Sequence, residues 1–147
     1  MNIWDKRFMQ LAELIGTWTN CVRPERQIGA VVARGEDILG MGYNKVPTPL
    51  QSCTDKGVCY RKQHNIESGT HQELCYSICA EQNAISQALK EHGDLSGATI
   101  YISHTPCAIC ARWIISVGIK RIVYHTPYTD KFALQLLKEA GVQLEQL

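Results

Sequence analysis

A chain of 147 residues has room for one domain around one hydrophobic core. Its apolar fraction of 45% and charged fraction of 20% are those of an ordinary globular domain, and a formal net charge of +1 lacks the basic excess that polynucleotide binding demands. No run approaches the ~20 apolar residues of a membrane span, and residues 1–15 mix charge with apolar side chains unlike a secretion signal, so a cytoplasmic protein is expected.

Helical spacing of Trp4, Phe8, Leu11, Ile15 and Trp18 predicts an amphipathic first helix. The apolar run 27–33, the turn at 34–37 and the run 38–43 predict a hairpin. Residues 44–73 then break every period with Pro47, Pro49, Gly57, Gly69 and two cysteines. They read as a long structureless insertion, at about 44–75, that a metal ion braces. A helix over 77–91, strand 98–103, helix 107–117, strand 121–124, helix 130–140 and strand 142–146 complete the order. Strands separated by single helices pair in parallel through right-handed crossovers, and the hairpin adds an antiparallel edge. The expected fold is one α/β domain over 1–147, a three-layer α/β/α sandwich on a mixed five-stranded sheet.

The seven cysteines are too many for chance and odd in number, which in a reducing compartment suggests metal ligation. Cys107 and Cys110 form a C-x-x-C at a helix start, where both side chains turn to one ion, and Cys79 opens the neighbouring helix. Three thiolates leave the fourth tetrahedral position of a zinc ion open to water, as catalytic sites do. Glu81, two residues beyond Cys79, is placed to move protons without ligating the metal. A redox C-x-x-C would leave Cys79-Ala80-Glu81 without a purpose. A closed site with Cys75 would need no carboxylate beside it.

The pair Cys79-Ala80-Glu81 and Pro106-Cys107-Ala108-Ile109-Cys110 is the zinc-deaminase pattern. Together with Gly29-Ala30-Val31-Val32, Gly42-Tyr43-Asn44, Gly118-Ile119-Lys120-Arg121 and the cysteine-bearing insertion, it resembles the deoxycytidylate branch of the cytidine and deoxycytidylate deaminase superfamily over residues 3–146. Two positions depart from that branch: Cys79 stands where most members have His, and Lys45 where they have Gly. The resemblance implies hydrolytic deamination of deoxycytidylate, a small pyrimidine nucleotide, with catalytic zinc on Cys79, Cys107 and Cys110 and Glu81 as proton shuttle. It implies Asn44 at the sugar, Arg26 at a 5′-phosphate with Arg23 nearby, and Ala80, Thr105, Pro106 and Tyr124 around the base. It also implies a homo-oligomer, a hexamer or tetramer, and a second, structural zinc in the insertion on Cys53, Cys59, His71 and Cys75. Cys21 and His64 stand as substitutes in that set. The competing readings are a free cytidine or deoxycytidine deaminase, a tRNA adenosine deaminase and a non-catalytic zinc module.

Overall fold

The computed structural model describes residues 1–23, 25–128 and 130–147. The first helix, α1, spans Ile3–Gly16 and starts where Asn2 Oδ1 accepts hydrogen bonds from the amides of Trp4 and Asp5. Asp5 returns the contact by accepting from the Asn2 amide, a reciprocal capping box. The hairpin follows as β1 (Gly29–Arg34) and β2 (Asp37–Tyr43), with a register shift between Val32 and Ala33. Then come α4 (Ala80–His92), β3 (Thr99–His104), α5 (Ala108–Ser116), β4 (Arg121–Thr126), α6 (Lys131–Glu139) and β5 (Gln143–Gln146). Between β2 and α4 lie α2 (Cys53–Lys56) and α3 (Tyr60–Gln63).

The sheet order is β2-β1-β3-β4-β5. β1 pairs antiparallel with β2 and β3, whereas β3, β4 and β5 run parallel. Helix α1 covers one face through Phe8, Met9, Ala12 and Ile15, against Val31, Ala33, Tyr101 and Val123. The alternate residues Ala30, Val32, Ile100, Ile102 and Ile122 face the core shared with α4, α5 and α6. Both faces of β1 and β3 are thus buried, which is why these strands read as unbroken apolar runs rather than alternating ones. The expected three layers and five mixed strands are all present.

Two features lock this frame. Asp5, 1% exposed, accepts two hydrogen bonds from the Arg121 guanidinium (2.8 and 3.1 Å) and one from the Tyr101 hydroxyl (2.8 Å). Arg121 in turn pairs with Glu145 on β5 at 2.7 Å, so one network ties α1 to β3, β4 and β5. The other feature is Gly42. A Cβ there would lie 2.4 Å from the Ala84 amide nitrogen and 2.7 Å from the Ala80 carbonyl oxygen, so only glycine lets α4 approach β2 this closely.

The insertion is not structureless, and the expectation is corrected here. Beyond α2 and α3, its neck is closed by Lys45 and Ile78, which exchange two backbone hydrogen bonds of 3.3 and 3.0 Å. Buried Arg61 donates to the carbonyls of Glu67, Thr70 and His71. One guanidinium therefore supplies the donors that a helix or strand would have supplied to this segment. A long polar donor carries no periodicity, so hydrophobic patterning does not register it.

Candidate metal centre and catalytic pocket

Cys79 is the N-cap of α4, Cys107 is the N-cap of α5, and Cys110 sits in the first turn of α5. Their three Sγ atoms lie within 4.8 Å of one another. The capping geometry has local causes. Gln82 accepts from the Cys79 amide at 3.0 Å, and Asp130 accepts from the Ala108 amide at 2.9 Å while also capping α6 through Ala133. Asp130 thereby fixes the starts of α5 and α6 together. The sequence reading did not single it out, although an Asp just before an apolar helical run is a capping signal.

The electrostatics of the sulfur cluster fit a bound cation. The Cys107 thiol is drawn well below its ordinary range by the thiols of Cys110 and Cys79 and by backbone amides of Cys110 and Ile109. Cys110 is pushed up by Cys107, Cys79 and burial, and Cys79 is pushed up chiefly by Cys107. Uncompensated, the cluster thus favours one anion shared by three sulfurs. Three thiolates at this spacing need a divalent ion, and zinc takes such a donor set with a fourth position to spare.

Glu81, 5% exposed, lies in the first turn of α4 and belongs to the same cavity of about 280 Å³ as Cys79 and Cys107. Burial, aided by the charge of Cys107, pushes its carboxyl up to about 7. A carboxyl poised near neutrality both accepts and returns a proton.

The cavity opens at the carboxyl ends of β3 and β4, where open α/β sheets bind ligands. Ala80, Thr105, Asn44 and Arg26 line it together with Arg23, Arg61, His104 and Tyr128. Thr105 is fixed by its hydroxyl, which donates to the Tyr128 carbonyl (2.9 Å), and by its amide, which donates to the Thr126 carbonyl. Asn44 is 4% exposed, and its carboxamide bridges the Arg26 carbonyl (2.7 Å) and the Ile28 amide (3.1 Å). It shapes the wall entering β1. Tyr124 and Pro106 are not among the lining residues: Tyr124 pairs with Ile102 and Gln146 inside the sheet. Tyr128 takes its place, in the loop after β4 where no strand period points to it.

In the insertion, Cys53 and Cys59 are buried, Cys75 is half-buried and His71 is exposed with its ring turned to Glu73 at 3.3 Å. Among the described residues no second set of three donors comes as close as Cys79, Cys107 and Cys110, so Cys53, Cys59, His71 and Cys75 are not gathered around one point. His71 adopts a positive φ of 44°, which takes it off the helix face that its spacing from Cys75 suggests.

Residues 2–126 match the family model described as the cytidine and deoxycytidylate deaminase zinc-binding region. The deoxycytidylate deaminase of Schizosaccharomyces pombe is 36% identical over 144 residues, 97% of this chain and 44% of that protein. That of Mycobacterium phage D29 is 32% identical over 126 residues, 82% of this chain and 93% of the phage protein. The chain thus spans less than half the length of its fungal relative but nearly all of the phage one. The crystal structure of dCMP deaminase from the cyanophage S-TIM5, in complex with dCMP and dUMP, superposes with a TM-score of 0.77 at 25% identity, covering 100% of this chain and 99% of that one. Three sulfurs at two helix starts, a buried glutamate beside them and a family match across both motifs place this chain in the cytidine and deoxycytidylate deaminase zinc-binding family.

Proposed function

We propose that the protein hydrolyses deoxycytidylate to deoxyuridylate and ammonia, using one zinc ion on Cys79, Cys107 and Cys110. The observation that carries the reading is the buried Glu81 carboxyl beside the three-thiol cluster, in a cavity that also holds arginines suited to a phosphate. Zinc, when bound, supplies the Lewis acidity that brings the pKa of water toward neutrality. Glu81 takes one proton from the attacking water and delivers it to N3 of the cytosine as oxygen bonds to C4. It then carries the second proton from that oxygen to the amine, the C4–N bond breaks, and ammonia leaves a carbonyl behind. Thr105 and Ala80 hold the base edge against Glu81, and Asn44 keeps the wall before β1 in place for the sugar. Arg26 stands at the phosphate side.

The family relatives that act on deoxycytidylate by name, and the cyanophage enzyme that binds dCMP and dUMP, support a monophosphate substrate. The reading extends to a cytoplasmic homo-oligomer, tetramer or hexamer, that uses the exposed Ile109 and Trp113 of α5 and Phe132 of α6. Among the described residues no helix is long and apolar enough to cross a membrane. It extends also to a second zinc in the insertion. There burial, and then the charges of Cys21, Cys75 and Cys59, push the Cys53 thiol up, so Cys21 is the proposed fourth donor in place of the exposed His71, and these thiols would have to draw closer than they stand here to share one ion.

Ammonia release measured with dCMP, dCTP, deoxycytidine and cytidine tests the substrate. Glu81→Gln should keep zinc at the wild-type level and lose roughly 10³-fold in kcat. A variant within tenfold of wild type removes Glu81 from the mechanism.

A further inference from the structure

Residues 105–108 carry Cys107 between two fixed ends, and the same stretch of chain after β4 fixes both. At one end the Thr105 hydroxyl donates to the Tyr128 carbonyl (2.9 Å) and accepts from the Tyr128 amide. At the other, Asp130 Oδ2 accepts from the Ala108 amide (2.9 Å). The Asp130 amide closes the ring by donating to the same Tyr128 carbonyl (3.1 Å). Pro106 and Cys107 lie inside this ring. The donors at the start of α5 show why an outside acceptor is needed, since the first amides of a helix have no intrahelical partner. Those of Ile109 and Cys110 act on the Cys107 sulfur, and that of Ala111 donates to the Cys107 carbonyl (2.8 Å). The Ala108 amide takes its acceptor from beyond the helix, and Asp130 supplies it.

We infer that Asp130 is a positioning residue for the metal centre: together with Tyr128 it clamps residues 105–108 and so sets how firmly Cys107 holds zinc. The inference rests on the zinc-deaminase reading above and adds to it a residue that acts through Cys107. An aspartate suits the place because it offers two charged acceptors. Oδ1 caps α6 by accepting from the Ala133 amide (3.0 Å), which leaves Oδ2 for Ala108. A serine or threonine cap has a single oxygen and serves α6 alone. Hydrogen bonds to an ionised acceptor are about twice as strong as neutral ones, so this one resists displacement of the α5 start. Zinc tolerates little error in the positions of its sulfurs, and losing a group that holds a ligand in place weakens metal binding about 10- to 100-fold.

The competing account makes Asp130 an ordinary helix cap, felt only through the stability of the fold. Zinc release from the loaded protein to excess chelator separates the two, measured for wild type, Asp130→Ser, Asp130→Ala, Thr105→Val and Asn2→Ala beside the thermal melts of the metal-free chains. Asn2→Ala removes a comparable cap from α1, on the other face of the sheet. Both Asp130 variants should release zinc about 10-fold faster than wild type or more, while Asn2→Ala melts lower but stays within about twofold. Thr105→Val, which keeps the volume and loses the hydroxyl at the other end of the ring, should also release faster. Should Asp130→Ala fail to fold, Asp130→Ser carries the test, because its hydroxyl still caps α6. In the cobalt-loaded proteins the visible bands of a tetrahedral sulfur site should shift in Asp130→Ser and stay in place in Asn2→Ala. Release from Asp130→Ser within about twofold of wild type, cobalt bands that do not move, or release that simply follows metal-free stability across the variants overturns the assignment. A wild type without stoichiometric zinc overturns the metal centre along with it. Ammonia release from dCMP is scored separately: zinc lost on the expected pattern by a protein that does not deaminate dCMP upholds the clamp and ends the substrate reading.

Discussion

Asp5 joins the first turn of α1 to three strands, and its removal should be legible in the acid stability of the protein. The Arg121 guanidinium, and to a lesser extent the Asn2 amide and Tyr101 hydroxyl, hold its carboxyl at about 2 against an ordinary value of 3.8. At 1.36 kcal/mol per pH unit, that difference makes the ionised form worth about 2 kcal/mol to the fold. Because the folded-state value is the lower one, this stabilisation is complete above the unfolded value of 3.8 and disappears as the pH falls through 2. About half of it should be gone near pH 3. Asp5→Asn keeps the volume but turns an NH2 group toward Arg121 and leaves that side chain with Glu145 alone. Losing one partner of a buried pair costs about 3 kcal/mol. Urea unfolding of metal-free wild type and Asp5→Asn, compared from about pH 6 to pH 3, isolates the effect, since protonation of the cysteines is common to both chains. The variant should be less stable near pH 6, and the gap should narrow on acidification. A gap that is absent at pH 6, or that stays constant down to pH 3, would refute the role assigned to Asp5.

Gly42→Ala should both destabilise the fold by roughly 1–3 kcal/mol and lower kcat, because the new methyl meets the backbone of Ala84 and Ala80 and must displace the turn that carries Glu81. Thermal melts and steady-state rates on one preparation check the pairing of the two effects. Cys110→Ser should abolish stoichiometric zinc at the catalytic site, read by metal analysis, since this fully buried sulfur has no substitute within 4.8 Å of Cys79 and Cys107 among the described residues. In wild type the same analysis should return two zinc ions per chain, falling to one in Cys53→Ala; a single ion in wild type would remove the insertion site. Arg61→Gln should expose the segment around residues 66–72 to limited proteolysis and raise KM more than it lowers kcat, because three carbonyls lose their donor.

Much of the frame was legible in the residues. Apolar runs bounded by turns located β1 and β3 most directly, because a strand buried on both faces is written as a contiguous block of apolar residues. The catalytic set was legible for a different reason: Cys79, Glu81, Cys107 and Cys110 sit at two helix starts, where local backbone geometry alone fixes side-chain direction to within a turn. The substrate pocket was legible only where it borders those motifs, at Ala80 and Thr105. Asn44 and Arg26 were identified, but the contacts that hold them were not.

What the chain by itself determined is thus the order of the five strands and the longer helices, and the placing of three cysteines and Glu81 at two helix starts. Tertiary structure decided the rest, namely that Tyr128 and not Tyr124 lines the cavity, that Arg61 is spent on the insertion while the Arg23 Nε is buried without an acceptor among the described residues, and that exposed His71 turns to Glu73. Each of these depends on which long polar side chain reaches which backbone carbonyl or solvent opening, across loops with no period to read. Hydrophobic patterning records which face of an element is buried; it does not record where a flexible polar chain ends. The three cysteines are legible from their places at two helix starts, and the long polar side chains around them are not.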